Sequence, residues 1–164
     1  MAKIPLANFA EHCVGIAMTA GALPEYVVAV AQVRSGIDDA VAGNETGPFR
    51  LTQEQWNANR QDPDGVMDLD PDDIKDWPSQ CFVFSRMTAA AQTALHQTLG
   101  RNFSIVELYL AQWPGAGTPA KLTQDFSAAL QTITQAVKDA RDKLHAQQAP
   151  IVNDPTQQTI GAGS

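Results

Sequence analysis

The chain has 164 residues, 44% of them hydrophobic and 18% charged, which is one domain's worth of sequence with enough apolar material to bury a core. Its net charge of −7 argues against the basic surface that non-specific nucleic-acid binding needs. No apolar run approaches the ~20 residues of a membrane-spanning helix.

The opening "MAKIPLANFAEHC" has one lysine and no long apolar stretch, so it does not read as a signal peptide. The expected location is cytoplasmic for a complete chain. It is periplasmic, or elsewhere in the cell envelope, for a piece of an exported protein.

From Leu6 to Ala20, Phe9, Cys13, Ile16 and Ala17 recur three and four apart, which predicts one buried helix face. Gly21 ends that helix, and Pro24 opens the next as a first-turn proline. The second helix, Pro24 to Ser35, is apolar almost all round, with Tyr26, Val27, Val28, Ala29, Val30, Ala31 and Val33. Such a helix belongs at the centre of a fold.

Gly36 to Arg50 reads as a loop. Thr52 with Gln55 three residues on predicts a capping box and a short helix to about Asn59. A loop punctuated by Asp-Pro steps follows, with one helical turn expected over Asp72 to Trp77.

Pro78 opens a long helix to about Leu99, with Phe82, Met87, Ala90, Ala91, Ala94 and Leu95 as candidate core and Gly100 as its stop. Ser104 caps "IVELYLAQW", which halts at Pro114. Thr118 or Thr123 starts a last long helix that turns Leu122, Phe126, Leu130, Ile133 and Val137 inward. From Ala149 the sequence is polar and aperiodic. The expected organisation is an all-α domain over 1–148 and a flexible tail or linker over 149–164.

The two cysteines, Cys13 and Cys81, match no metal spacing. In apolar helical sequence they read as buried free thiols, with a single disulfide in an oxidising compartment as the alternative. His12, His96 and His145 stand alone on three helices and carry no metal or triad spacing. His12 and His96 are expected to be half-buried and His145 exposed. Seven aspartates fall between Asp62 and Asp76, but an EF-hand register fails there. Arg60 takes the first ligand position and Pro71 the twelfth, so the run reads as a solvated acidic loop. No metal or cofactor is expected.

One order of features is more informative. An apolar helix ends in Ser35-Gly36. A loop leads to Gly47-Pro48-Phe49-Arg50-Leu51, and a capped helix carries Trp56. Further on come an Asp-Pro step, an alanine-rich helix, and "ELYLAQWPGAG" with Tyr109, Gln112, Trp113, Gly115 and Gly117. This order, over roughly Pro5 to Leu130, resembles the superfamily of soluble lytic transglycosylases and goose-type lysozymes. The resemblance implies a lysozyme-like helical domain whose cleft holds a peptidoglycan-type glycan strand.

It also implies a catalytic glutamate immediately before the Ser-Gly and a glutamine after the Gly-Pro-Phe. Those positions hold Arg34 and Arg50. Glycoside cleavage needs a carboxylic acid that protonates the leaving oxygen. A guanidinium keeps its proton at any working pH. The resemblance therefore implies a degenerate site that binds a glycan or a protein partner.

The alternatives are an active muramidase with Glu45 as relocated acid, or a structural adaptor of a larger assembly. A salt bridge from Arg34 to Glu45 or Asp38, and an anion site built on Arg34 and Arg50, are further expectations for the same residues. Phe49, Tyr109, Gln112 and Trp113 complete the expected binding set, with Tyr109 or Trp113 lining the cleft.

Overall fold

The computed structural model describes residues 3–62, 65 and 68–152, with side chains described as far as Gln147. These residues form a mostly helical fold with a three-stranded sheet at one side. In chain order the elements are α1 (Leu6–Ala20), α2 (Pro24–Ser35), β1 (Val41–Ala42), β2 (Glu45–Thr46), β3 (Leu51–Thr52) and α3 (Gln53–Asn59). A 3-10 turn (Pro71–Lys75) follows, then α4 (Trp77–Leu99), α5 (Ile105–Gln112) and α6 (Pro119–Val152). Among the described residues no helix is long and apolar enough to cross a membrane.

Helix α2 is the centre of the fold. Every side chain from Tyr26 to Ala31 is fully buried, and α1, α4 and α6 pack around it. An aromatic chain runs through this core. Phe9 meets Phe49, Phe49 stacks on Phe84 at 4.4 Å, Phe84 meets Tyr26, and Tyr26 stacks on Phe126. Each ring comes from a different segment, so the chain of contacts ties α1, the hairpin region, α4, α2 and α6 together.

The predicted helix caps form. Thr52 and Gln55 form the reciprocal capping box of α3, and Ser104 forms a second one with Glu107 at α5. Thr118, not Thr123, precedes the last helix, and its hydroxyl accepts from the Lys121 N–H. The expected turn near Asp72 is the 3-10 segment, capped by Asp70. Helix α6 continues to Val152, past the Ala149 expected to begin a tail. The remainder of that expected tail, 153–164, lies outside the described residues.

Four expectations are corrected. The loop from Gly36 to Arg50 contains β1 and β2, an antiparallel hairpin with Val41 opposite Thr46 and Ala42 opposite Glu45, and Leu51–Thr52 adds β3. Strands of two residues show no alternation in sequence. The Gly43-Asn44 pair that turns the hairpin is the one local signal for it.

The buried stripe of α4 is Gln80, Cys81, Phe84, Ser85 and Thr88, with Val83 beside it. Ala90 and Ala94 are exposed, and Phe82, Met87, Ala91 and Leu95 are half-buried. Alanine, counted as apolar, drew the expected stripe to the wrong side of the helix. His12 and His96 are exposed, not half-buried; His145 is exposed as expected.

Finally, Cys13 and Cys81 are joined in a disulfide that bridges α1 and α4, and both residues are fully buried. Among the described residues there is no free cysteine. The sequence separation of 68 residues makes this a large loop to close in the unfolded chain. By loop entropy, Cys13→Ala/Cys81→Ala is expected to lose about 4 kcal/mol of unfolding free energy. Urea unfolding of the oxidised protein beside the double variant measures it.

Candidate functional site

Arg34 sits in the last turn of α2, where a cation is favoured by the exposed carbonyls of a helix end. The following turn is fixed by backbone hydrogen bonds. The Gly36 N–H donates to the Gln32 carbonyl at 3.0 Å, and the Ile37 N–H donates to the Ala31 carbonyl at 3.2 Å. Gly36 takes φ +66, which closes the helix in the left-handed region.

Ser35 then ties the turn to the hairpin. Its hydroxyl proton lies between two acceptors, the Pro48 carbonyl at 2.7 Å and the Ala31 carbonyl at 3.1 Å, and its oxygen accepts from the Asp38 N–H. Asp38 in turn accepts from the Ala40 N–H and caps the loop, while the ion pair of Arg34 is with Glu45. The Ser-Gly pair of the sequence is thus a knot between the central helix and the hairpin.

From this position the Arg34 guanidinium turns inward, with its side chain 11% exposed. Nε–H donates to the Phe49 carbonyl at 2.7 Å. One Nη1–H donates to the Tyr109 hydroxyl at 3.0 Å. Nη2 donates to the Arg50 carbonyl at 3.1 Å and to Glu45 Oε2 at 3.0 Å. The guanidinium carbon also lies 4.2 Å from the centre of the Trp113 ring. Four donors are spent on protein acceptors, out of the roughly five a guanidinium has.

The hairpin that supplies these acceptors is braced from below by Gln80, a fully buried side chain of α4 that the sequence reading missed. Its Nε2 donates to the carbonyls of Thr46 at 2.8 Å and Ile74 at 2.7 Å, and its Oε1 faces the Phe49 N–H at 3.4 Å. Gly47 lies directly over it, at φ +79. A β-carbon there would stand 2.2 Å from Gln80 Nε2, so only glycine fits. In sequence, the spacing of Gln80, Phe84 and Thr88 shows only that they share a helix face, not that this face is buried.

The expected site residues therefore divide. Arg34, Glu45, Phe49, Arg50, Tyr109 and Trp113 do converge. Phe49 and Tyr109, however, are core side chains, fully buried and 4% exposed, and present no face to a ligand in this conformation. Arg50 takes φ +51, and its Nη1 donates to the carbonyls of Ala40 at 2.6 Å and Gly47 at 3.1 Å, which pins the hairpin. An anion site on Arg34 and Arg50 is thereby disfavoured, because both guanidinium groups already serve backbone carbonyls.

Gln112 accepts from the Tyr26 hydroxyl and donates to Thr88 Oγ1 at 3.3 Å. Trp113 is half-buried, between Arg34, Phe84 and Tyr109. Glu45, with its side chain 37% exposed, is the most open charged group of the set in ion-pair contact. No family model, curated protein or solved structure matches the chain.

Burial pushes the Tyr26 phenol well above the ordinary tyrosine range. The neighbouring Tyr109 adds to this, and Arg34 opposes it more weakly. The sign follows from linkage. The unfolded chain's phenol ionises near 10.0 while the folded one stays neutral. Tyr26 therefore contributes stability below that pH and the contribution is lost as pH rises beyond it. In an alkaline absorbance titration, tyrosinate from Tyr26 is expected to appear together with unfolding, not before it.

Removing the guanidinium strands buried carbonyls and one carboxylate. Arg34→Met is expected to cost about 2–4 kcal/mol. Arg34→Glu costs more, because its carboxylate would face Glu45 and two carbonyls. Arg34→Lys falls between wild type and Arg34→Met. Glu45→Gln, at a more exposed position, costs under about 1 kcal/mol. The order of chemical denaturation midpoints across these four variants checks the assignment.

Proposed function

We propose that the chain is a lysozyme-like helical domain, akin to the soluble lytic transglycosylases and goose-type lysozymes, that binds in its former cleft without cutting. The ligand is a peptidoglycan-type glycan strand or a protein partner. The observation that carries this reading is the Arg34 guanidinium, held by the carbonyls of Phe49 and Arg50, the Tyr109 hydroxyl and Glu45. The reaction of the resembled family needs an acid at that helix end to deliver a proton, worth ~10²–10⁴-fold. Arg34 is a poor proton donor.

Glu45 does not repair the deficit. It is the carboxylate nearest to that position in contact, but there it is an acceptor of the Arg34 N–H. The reaction requires a donor. The surroundings of Arg34 support a structural use of the residue: its contacts with Glu45, Phe49 and Arg50 close the hairpin region against α2, and its contact with Tyr109 ties α2 to α5. Glu45 and Trp113, which both contact the Arg34 guanidinium, are partly exposed at the surface. That combination suits hydroxyl-rich ligands, whose sugar faces stack on rings and whose hydroxyls donate to carboxylates.

Purified protein incubated with isolated cell-wall sacculi is expected to release no muropeptides above background, and Glu45→Gln is expected to leave that background unchanged. Release that Glu45→Gln abolishes would overturn the reading in favour of an active muramidase. Co-sedimentation with the same sacculi, weakened at least fivefold by Trp113→Ala, is the outcome expected for glycan binding. Absence of co-sedimentation leaves the protein-partner reading.

A further inference from the structure

The Cys13–Cys81 disulfide is fully buried and crosses between α1 and the first turns of α4. Cys81 is the immediate neighbour of Gln80. Gln80 is the side chain that spans from α4 to the hairpin through Thr46, Phe49 and Ile74. Gly47 rests on its carboxamide with no space for a further atom. Above Gln80, the hairpin supplies the Phe49 and Arg50 carbonyls and the Glu45 carboxylate that hold Arg34. On the α1 side, Phe9 touches both Phe49 and Trp77, so the same helix pair frames the hairpin from two directions.

We propose that this cross-link is a redox-dependent latch on the hairpin, in which the Cys13–Cys81 bond fixes the first turns of α4 against α1 and, through Gln80, sets the position of residues 45–50. The inference concerns the geometry of the site and rests on the proposed binding role only for its functional meaning. Forming the bond joins the two sulfur atoms and removes two protons and two electrons from the thiols. These pass to the disulfide of a dithiol-type oxidant, which leaves as two thiols. Because both sulfurs are enclosed, the exchange takes place before α1 and α4 close on each other, during folding in an oxidising compartment. In a reducing compartment the chain would fold with the hairpin unlatched.

The test compares motion in the native state, which a change in overall stability alone does not move. Backbone order parameters are measured by NMR on the oxidised protein, in which thiol titration is expected to find no reactive thiol, and on Cys13→Ala/Cys81→Ala. The amides of Gly47, Phe49 and Arg50 are expected to fall from about 0.85 to below about 0.6, with those of α2 and the first half of α6 unchanged. Hairpin values equal to wild type, an equal fall in every element, or failure of the double variant to fold would each make the bond a general staple and overturn the latch. Gln80→Ala with the disulfide intact is the second arm. It is expected to loosen the same three amides, and a hairpin as rigid as wild type in that variant would break the proposed link between bond and site.

Discussion

A guanidinium buried at the end of the central helix organises one whole side of this protein. Taking a charge out of water is costly unless its hydrogen-bonding groups are met, and Arg34 meets four partners from three segments. Two of those partners are backbone carbonyls of the turn after β2. They would be poorly satisfied if the guanidinium withdrew. The hairpin, α5 and α2 are therefore held by one side chain, and the Trp113 ring covers it.

That interaction has a foundation on the opposite side of the hairpin. Gln80 rises from α4 as a fully buried amide with three backbone partners, and Gly47 is the residue that lets the two approach. Ser35 adds a third tie, from the helix end to Pro48. A short hairpin has little stability by itself. This one is held from α2 by Arg34 and Ser35, from α4 by Gln80, and internally by Arg50. The disulfide lies one residue from the α4 tie, so covalent and non-covalent restraints meet at the same turn of helix.

The chemistry follows from the same contacts. A helix end pointed at a hairpin, with a carboxylate opposite and aromatic rings behind, is a place where a raised-pKa acid can be built. Here the residue at the helix end donates hydrogen bonds to carbonyls and a carboxylate, and the Trp113 ring covers it. The polar groups of the site are spent on one another. Binding at the exposed edge near Glu45 and Trp113 is compatible with that arrangement, and proton delivery from Arg34 is not.

Helix starts, the caps at Thr52 and Ser104, and the apolar character of α2 were legible in the sequence because each depends on neighbours within a few residues. The convergence of Arg34, Glu45, Arg50, Tyr109 and Trp113 was legible only through a resemblance in the order of motifs. Three things were decided by tertiary structure alone: which stripe of α4 faces inward, that Cys13 and Cys81 meet, and that Gln80 is the brace beneath the hairpin. Local pattern records a residue's preference for water or for a helical turn. It does not record which distant atom will stand 3 Å away, and the roles of Arg34, Gln80 and the cysteines are set by those atoms.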